Sequence, residues 1–348
     1  MLIISDPNEL NEVSILYRTN SQSRVIEDEL RKSAIPYHII GGTKFYDRKE
    51  IKDVLSYIKI LINDKDDISF DRIINFPSRG IGKTTLEKIH IYAKENNYSC
   101  FNVLEKINNL RISLKQKNTI ASFYKMLMLH KERLSSDLGS TIIKDLLKDI
   151  KLRNFYLDKN TSEAYDRWDN IKELISSIEE FEQTKTNSSL NLYLEEVSLL
   201  TDIDNWNSST NAVTLMTVHS SKGLEFDNIF IMGMEDGLFP IVRTLEDNDI
   251  EEERRLFYVG ITRSKKQVTL SCARTRRKFG AEPMMTIKSR FLDDIPQKLI
   301  KATSKTQFIK KPIINEHLIK TDIKVGTNVK HNVFGKGKIL NIEGIGDN

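Results

Sequence analysis

Short apolar runs stand near both ends of this sequence, and few interrupt the long stretch between them. Val13-Ser-Ile-Leu-Tyr17 and Pro36-Tyr-His-Ile-Ile40 come early, while Val213-Thr-Leu-Met-Thr-Val218, Asn228-Ile-Phe-Ile-Met232 and Gln267-Val-Thr-Leu-Ser271 come late. Runs of this length and composition read as strands. A helix is expected from about Asn20 to Ser33, and Gly41-Gly42 closes the second strand. Strand, helix and strand at that spacing make a parallel α/β unit. From Arg48 to about Asn205 the apolar residues recur at helical intervals instead: Ile51, Val54, Leu55, Ile58 and Leu61–Ile62 form one stripe, Ile142, Ile143, Leu146, Leu147 and Ile150 another. The expected fold class is therefore α/β, a parallel-sheet lobe split in sequence by an all-α insertion. The sheet lobe is expected over residues 1–111 and 206–295, the insertion over 112–205 and a linker over 296–320. Residues 321–348 contribute two short strands around a Gly-rich turn, where the chain stops before a barrel could close.

Composition narrows the class of partner only a little. The 348 residues suggest two or three domains, and the net charge of +4 is too mild to mark a nucleic-acid protein by itself. Positive charge is local, as in Arg274-Thr-Arg-Arg-Lys278, which reads either as a solvated basic face or as a phosphate contact. Cys100 and Cys272 offer neither a disulfide framework nor metal-ligand spacing. No apolar run approaches the ~18–20 residues of a membrane span, and the start lacks the plan of a signal peptide. A soluble cytoplasmic protein without a membrane role is expected.

Five motifs then occur in order: Tyr17-Arg-Thr-Asn-Ser-Gln-Ser-Arg24, Gly41-Gly-Thr-Lys-Phe-Tyr-Asp-Arg-Lys-Glu-Ile-Lys-Asp53, Arg79-Gly-Ile-Gly82, His219-Ser-Ser-Lys-Gly-Leu-Glu-Phe226 and Glu251-Glu-Glu-Arg-Arg-Leu-Phe-Tyr-Val-Gly-Ile-Thr-Arg263. Together they resemble the C-terminal half of superfamily 1 DNA helicases of the UvrD/PcrA type. The resemblance covers almost the whole chain and implies a second RecA-like motor lobe, with the tail similar to the opening of a small Tudor-like module. It implies ATP with Mg2+ as the nucleotide, single-stranded DNA and single-strand/duplex junctions as partners, and 3′ to 5′ movement in repair or replication. Tyr17 would stack on adenine and Arg18 would reach the γ-phosphate, a task that suits the planar donor fork of arginine. Arg263 would be an arginine finger, placing Arg18 and Arg263 in catalytic roles. Glu225 would contact the ribose or triphosphate region, while His219 and Lys222 would touch the single strand and couple it to the ATP cleft. The P-loop, the Mg2+ ligands and the water-positioning groups are expected from a complementing first lobe. No metal ligands are expected in this chain. The alternative is a non-catalytic DNA- or partner-binding fragment, either half of a split gene or a remnant.

Two segments imitate nucleotide motifs. Gly82-Lys83-Thr84 matches the end of a P-loop, but Pro77 occupies its first position and Ser69–Phe76 is helical rather than strand-like in character. Helix, Gly-x-Gly turn and helix suggest a DNA-backbone clamp instead, with Gly80, Gly82, Lys83 and Thr84 presenting amides and a helix N-terminus to phosphate. Glu235-Asp236 superficially resembles a Mg2+-binding acidic pair in reversed order. Finally, Phe45 and Tyr46, with Arg48 and Lys52, could stack bases and contact phosphates. They could equally open the following helix and pack a hinge.

Overall fold

The computed structural model describes residues 7–185, 188–206, 211–241, 247–276, 284–301, 328–331 and 335–338. Five strands form one parallel sheet: β1 (Val13–Tyr17), β2 (Tyr37–Ile40), β3 (Val213–Thr217), β4 (Phe226–Ile231) and β5 (Ser264–Leu270), in the order β2-β3-β1-β4-β5. β1 lies at the centre, with Tyr17 opposite Thr217 of β3 and Leu16 opposite Ile231 of β4. Its five residues are all buried because both faces of the sheet are covered. Val13, Ile15 and Tyr17 pack with Ile26 and Leu30 of α1 (Ser23–Lys32) on one face. Leu16 packs with Ile229, Ile231 and Phe257 on the other, under α11 (Asp247–Ile261). The close seat of α11 depends on Gly260, where a Cβ would lie 3.1 Å from Val218 and 3.2 Å from Ile231. This is a RecA-like lobe with a large helical addition.

That addition comprises α2 (Lys49–Ile62), α3 (Asp67–Ile73), α4 (Lys83–Asn96), α5 (Cys100–Val103), α6 (Leu114–Glu132), α7 (Gly139–Asp149), α8 (Leu152–Leu157), α9 (Ser162–Thr184) and α10 (Leu190–Trp206). A single apolar core runs through residues from Phe45 to Val197. The apolar stripe of α2 joins this core with the later helices rather than the core beneath the sheet. Both cysteines are free thiols; Cys100 is buried, and that burial, with Asp67 nearby, pushes its thiol up to about 12.

Residues Pro296–Asn348 form a separate unit. Within it Asn328–His331 pairs antiparallel with Gly335–Lys338, Asn328 opposite Lys338. Gln297–Leu299 of the expected linker forms a 3-10 turn. Residues 302–327, 332–334 and 339–348 of the expected linker and tail lie outside the described residues.

A buried ionic cluster holds β2, α1 and the start of the helical part together. The Glu27 carboxylate, fully enclosed, accepts from Ser23 Oγ (2.6 Å), Arg31 Nη2 (3.0 Å), Tyr37 Oη (3.2 Å) and the Phe45 amide (3.1 Å). Removing one partner of such a pair strands a buried charge. Glu27→Gln is expected to lower the unfolding free energy by about 3 kcal/mol, read from urea denaturation.

Candidate nucleotide and nucleic-acid sites

The C-terminal edge of the sheet opens into a cleft of about 510 Å3. Arg18, Thr19 and Asn20 follow β1 into it, Thr217 and His219 leave β3 beside them, and Ser162 and Asp166 of α9 form a wall. Open α/β sheets bind ligands at this edge. The short loop after β1 is pinned by Gln22, whose Oε1 accepts from the amides of Arg18 and Thr19, both at 2.9 Å. Gly41, at φ +73°, ends β2 so close to the turn after β3 that a Cβ would sit 2.6 Å from Ser220 Oγ. Only glycine combines that conformation with that approach.

Arg18 points to the α11 side of the sheet and meets Glu253. Its Nε lies 2.9 and 3.0 Å from the two carboxylate oxygens and its Nη2 lies 2.5 Å from Oε1. The Ile241 amide also donates to Glu253, at 3.2 Å. This pairing occupies the Nε/Nη2 edge of the fork and leaves Nη1 without a partner among the described residues. The cleft also carries Asp166, Asp249 and Glu252, so its lining is acidic apart from Arg18 and His219. Partial desolvation and then the charge of Arg18 push His219 below the ordinary histidine value, with Glu253 and Glu252 opposing weakly.

Glu225 and Arg263 lie elsewhere. Phe226 begins β4 opposite Ser264 at the start of β5, and the Phe226 amide donates to the Arg263 carbonyl at 3.0 Å. Both residues therefore sit at the N-terminal edge of the sheet. Arg18 meets the first turns of α11 and Arg263 follows its end; the eight residues from Glu253 to Ile261 correspond to ~12 Å of helix. Tyr17 and Arg18 thus end β1 at one edge of the sheet, and Glu225 and Arg263 precede β4 and β5 at the other. The Tyr17 ring presents no open face here: it is 1 % exposed and packed in the α1-side core. Arg263 is half-buried; its Nε donates to Val259 O and its Nη2 to Thr262 Oγ1, both at 3.1 Å, and Nη1 has no partner among the described residues. Glu225 is exposed.

Between the two edges run residues 218–225. His219–Ser221 forms a single 3-10 turn beside Arg18, Lys222 and Gly223 are exposed, and Glu225 reaches the far edge. His219, Lys222 and Glu225 thus lie along one connection that spans the sheet.

Phe45 and Tyr46 cannot stack on bases here, which corrects that reading. They are 0 % and 4 % exposed, meet edge to face at 5.2 Å, and belong to the helical core. The guanidiniums of Arg48 and Arg31 cover them at 5.2 and 5.7 Å. Gly80, Gly82, Lys83 and Thr84 by contrast are all exposed, at the N-terminus of α4. Arg79 builds that turn: Nη1 donates to the carbonyls of Ile73 and Phe76 at 2.9 Å, Nη2 to Tyr57 Oη at 2.7 Å, and the guanidinium stacks 4.1 Å from Phe123.

The acidic pair that imitates a metal site is structural. Glu235 is buried against Arg276 (2.5 Å) and the Ala273 amide (2.7 Å), and Asp236 pairs with Arg290 (3.0 Å). Arg276 is accordingly an internal partner rather than part of a free basic face; Arg277 and Lys278 lie outside the described residues. Among the described residues no group of three His, Cys, Asp or Glu side chains could hold a metal ion, and no helix is long and apolar enough to cross a membrane. Sequence reasoning missed Asn20, Glu253 and the α9 wall. Only Glu253 carried a signal, lying ten residues before Arg263 in a run read as helix-opening charge.

The parallel sheet with helices on both faces defines a RecA-like α/β lobe. Residues 2–275 match the UvrD-like helicase C-terminal domain, and the chain belongs to that family. It is 40 % identical over 352 residues to the ATP-dependent DNA helicase PcrA of Staphylococcus epidermidis, covering 95 % of this chain and 48 % of that protein. The PcrA helicase of Bacillus subtilis is 38 % identical over 368 residues, 97 % of this chain and 49 % of that protein. The PcrA helicase of Staphylococcus aureus is 39 % identical over 353 residues, with 95 % and 48 % covered. The chain thus spans about half the length of the curated relatives it matches.

A histidine held below its unfolded value resists protonation in the native state, so the unfolded chain binds more protons as pH falls through about 6.5. His219 therefore contributes a loss of stability below that pH. In urea unfolding at pH 7.5 and 5.5, His219→Gln is expected to narrow the drop between the two midpoints.

Proposed function

We propose that this chain is the second motor lobe of an ATP-dependent DNA helicase of the PcrA kind, with nucleotide and DNA served by opposite edges of one sheet. The observation that carries the reading is the connection 218–225, which begins beside Arg18 in the cleft and ends beside Arg263. His219, Lys222 and Arg18 serve the single strand, and Glu225 and Arg263 serve the nucleotide. The Nη1 edge of Arg18, without a partner among the described residues, offers donors that a strand phosphate can meet.

The residues present fit only one side of ATP. Arg263 supplies donors for phosphate oxygens and Glu225 an acceptor for sugar hydroxyls, whereas the P-loop and Mg2+ ligands must come from a P-loop-bearing lobe in the same or another polypeptide. ATP bound there supplies the phosphoanhydride cleavage that drives 3′ to 5′ movement during repair or replication. Arg263 then offsets charge on the phosphoryl oxygens, and any displacement of Glu225 is transmitted along the turn to Lys222 and His219. The α4 turn, with Gly80, Gly82, Lys83 and Thr84 exposed, offers amides and a helix N-terminus to the backbone of the duplex at a junction.

The test is DNA-stimulated ATPase activity of the chain combined with a P-loop-bearing lobe. Arg263→Ala is expected to lower kcat by about 10³. Arg18→Ala should leave kcat intact at saturating DNA while raising the DNA concentration needed for half-stimulation. Loss of kcat in Arg18→Ala at saturating DNA would return Arg18 to the nucleotide. A demonstrably assembled pair without ATPase activity would favour a DNA- or partner-binding fragment.

A further inference from the structure

Between α11 and β5 the chain has two residues, Thr262 and Arg263, and the backbone of both is fixed. The Thr262 amide donates to the Tyr258 carbonyl at 3.0 Å and the Arg263 amide to the Gly260 carbonyl at 3.3 Å. The Arg263 carbonyl accepts from the Phe226 amide at the start of β4. What freedom Arg263 has therefore lies in its side chain. A helix leaves its last carbonyls without an amide partner, and here one of them serves side chains instead. The Val259 carbonyl accepts from Thr262 Oγ1 at 2.9 Å and from Arg263 Nε at 3.1 Å. The Thr262 hydroxyl has a single proton and gives it to Val259, so towards Arg263 Nη2, at 3.1 Å, it acts as an acceptor.

Carbonyl and hydroxyl together take the Nε/Nη2 edge of the guanidinium as the two oxygens of a carboxylate would, and Nη1 has no partner among the described residues. The likeness to a carboxylate stops at charge. At the opposite edge of the sheet the Nε/Nη2 edge of Arg18 is held by Glu253, which compensates it. The acceptors of Arg263 are neutral, and among the described residues it makes no ion pair. An arginine held in this way keeps both its full charge and a set direction. Those are the two properties with which a preorganised donor stabilises developing charge on a phosphoryl group.

We propose that Thr262 is a positioning residue for ATP hydrolysis, its hydroxyl holding the Arg263 guanidinium in one orientation without cancelling its charge, so that Nη1 is left for the phosphoryl oxygens. This rests on the assignment of Arg263 to the nucleotide. Without the hydroxyl the fork is anchored through Nε alone, and it must be ordered afresh at every turnover. Thr262→Val keeps the branched shape and loses the oxygen, whereas Thr262→Ser keeps the oxygen.

The experiment combines the full chain with a P-loop-bearing lobe and measures kcat and the KM for ATP at saturating single-stranded DNA, with co-elution of the two recording assembly. Thr262→Val and Thr262→Ala are each expected to lower kcat about tenfold, the scale of one hydrogen bond to a charged group. KM should hardly move, because the contact acts in the transition state. Thr262→Ser should keep the wild-type kcat. In an Arg263→Ala background Thr262→Val should lower kcat no further, since the hydroxyl then has no guanidinium to hold. If Arg263→Ala keeps the wild-type kcat, or the assembled wild-type pair has no ATPase activity, the nucleotide assignment of Arg263 fails and Thr262 has nothing to position. Suppose instead that Arg263→Ala lowers kcat. The positioning role is then overturned if Thr262→Val and Thr262→Ala keep the wild-type rate, if Thr262→Ser falls with them, or if Thr262→Val lowers kcat equally with and without Arg263. Failure of both hydroxyl-free chains to assemble would make the hydroxyl a structural group and overturn it as well.

Discussion

Two strands that run parallel in one sheet oblige the chain between them to travel the length of the sheet. β3 and β4 both run parallel to β1, one on each side, and only residues 218–225 connect them. The path is eight residues long and includes one 3-10 turn. It starts at the C-terminal edge with His219 beside Arg18, and it finishes at the N-terminal edge with Glu225 beside Arg263. The same short connection therefore carries groups at both edges of the sheet.

The chemistry of the two edges differs accordingly. At the N-terminal edge an arginine with spare donors and an exposed carboxylate face solvent beside the end of α11. At the C-terminal edge the cleft is acidic, and its one arginine is held by Glu253 on the Nε/Nη2 side. That pairing keeps a partly buried guanidinium compensated and aims the rest of the fork in a fixed direction. Behind the loop stands Arg48, which ties the floor of the cleft to a helix that belongs to a different apolar core. Thus the helical addition completes one wall of the sheet's own site.

Much of the fold was legible in the sequence. The strands stand out because β1 and β3 are covered on both faces and are mostly apolar, and the helices because α2 and α7 repeat at intervals of three and four. The beginning of the helical core was less visible: the stripe of α2 says that one face is buried but not whether sheet or helix covers it. The site was legible as a set of residues and misleading as a geometry. Tyr17 and Arg18 look alike as strand-end groups, yet alternation along β1 sends the tyrosine into the α1-side core and the arginine to Glu253. Phe45 and Tyr46 next to basic residues suit base stacking as well as they suit a core under two guanidiniums. Arg48 was visible only as a candidate phosphate or hinge residue; its contact with Asn170, 122 residues away, exists only in the folded chain.

The central claim is that strand and nucleotide meet this lobe at opposite edges of one sheet. Photocross-linking tests it most directly, with 4-thiothymidine-substituted single strands bound to the full chain and adducts mapped by mass spectrometry. The account expects adducts concentrated in Arg18–Gln22 and His219–Lys222, with Glu225 and Thr262–Ser264 unlabelled. Adducts centred on Glu225 and Arg263, with none near Arg18, would contradict it.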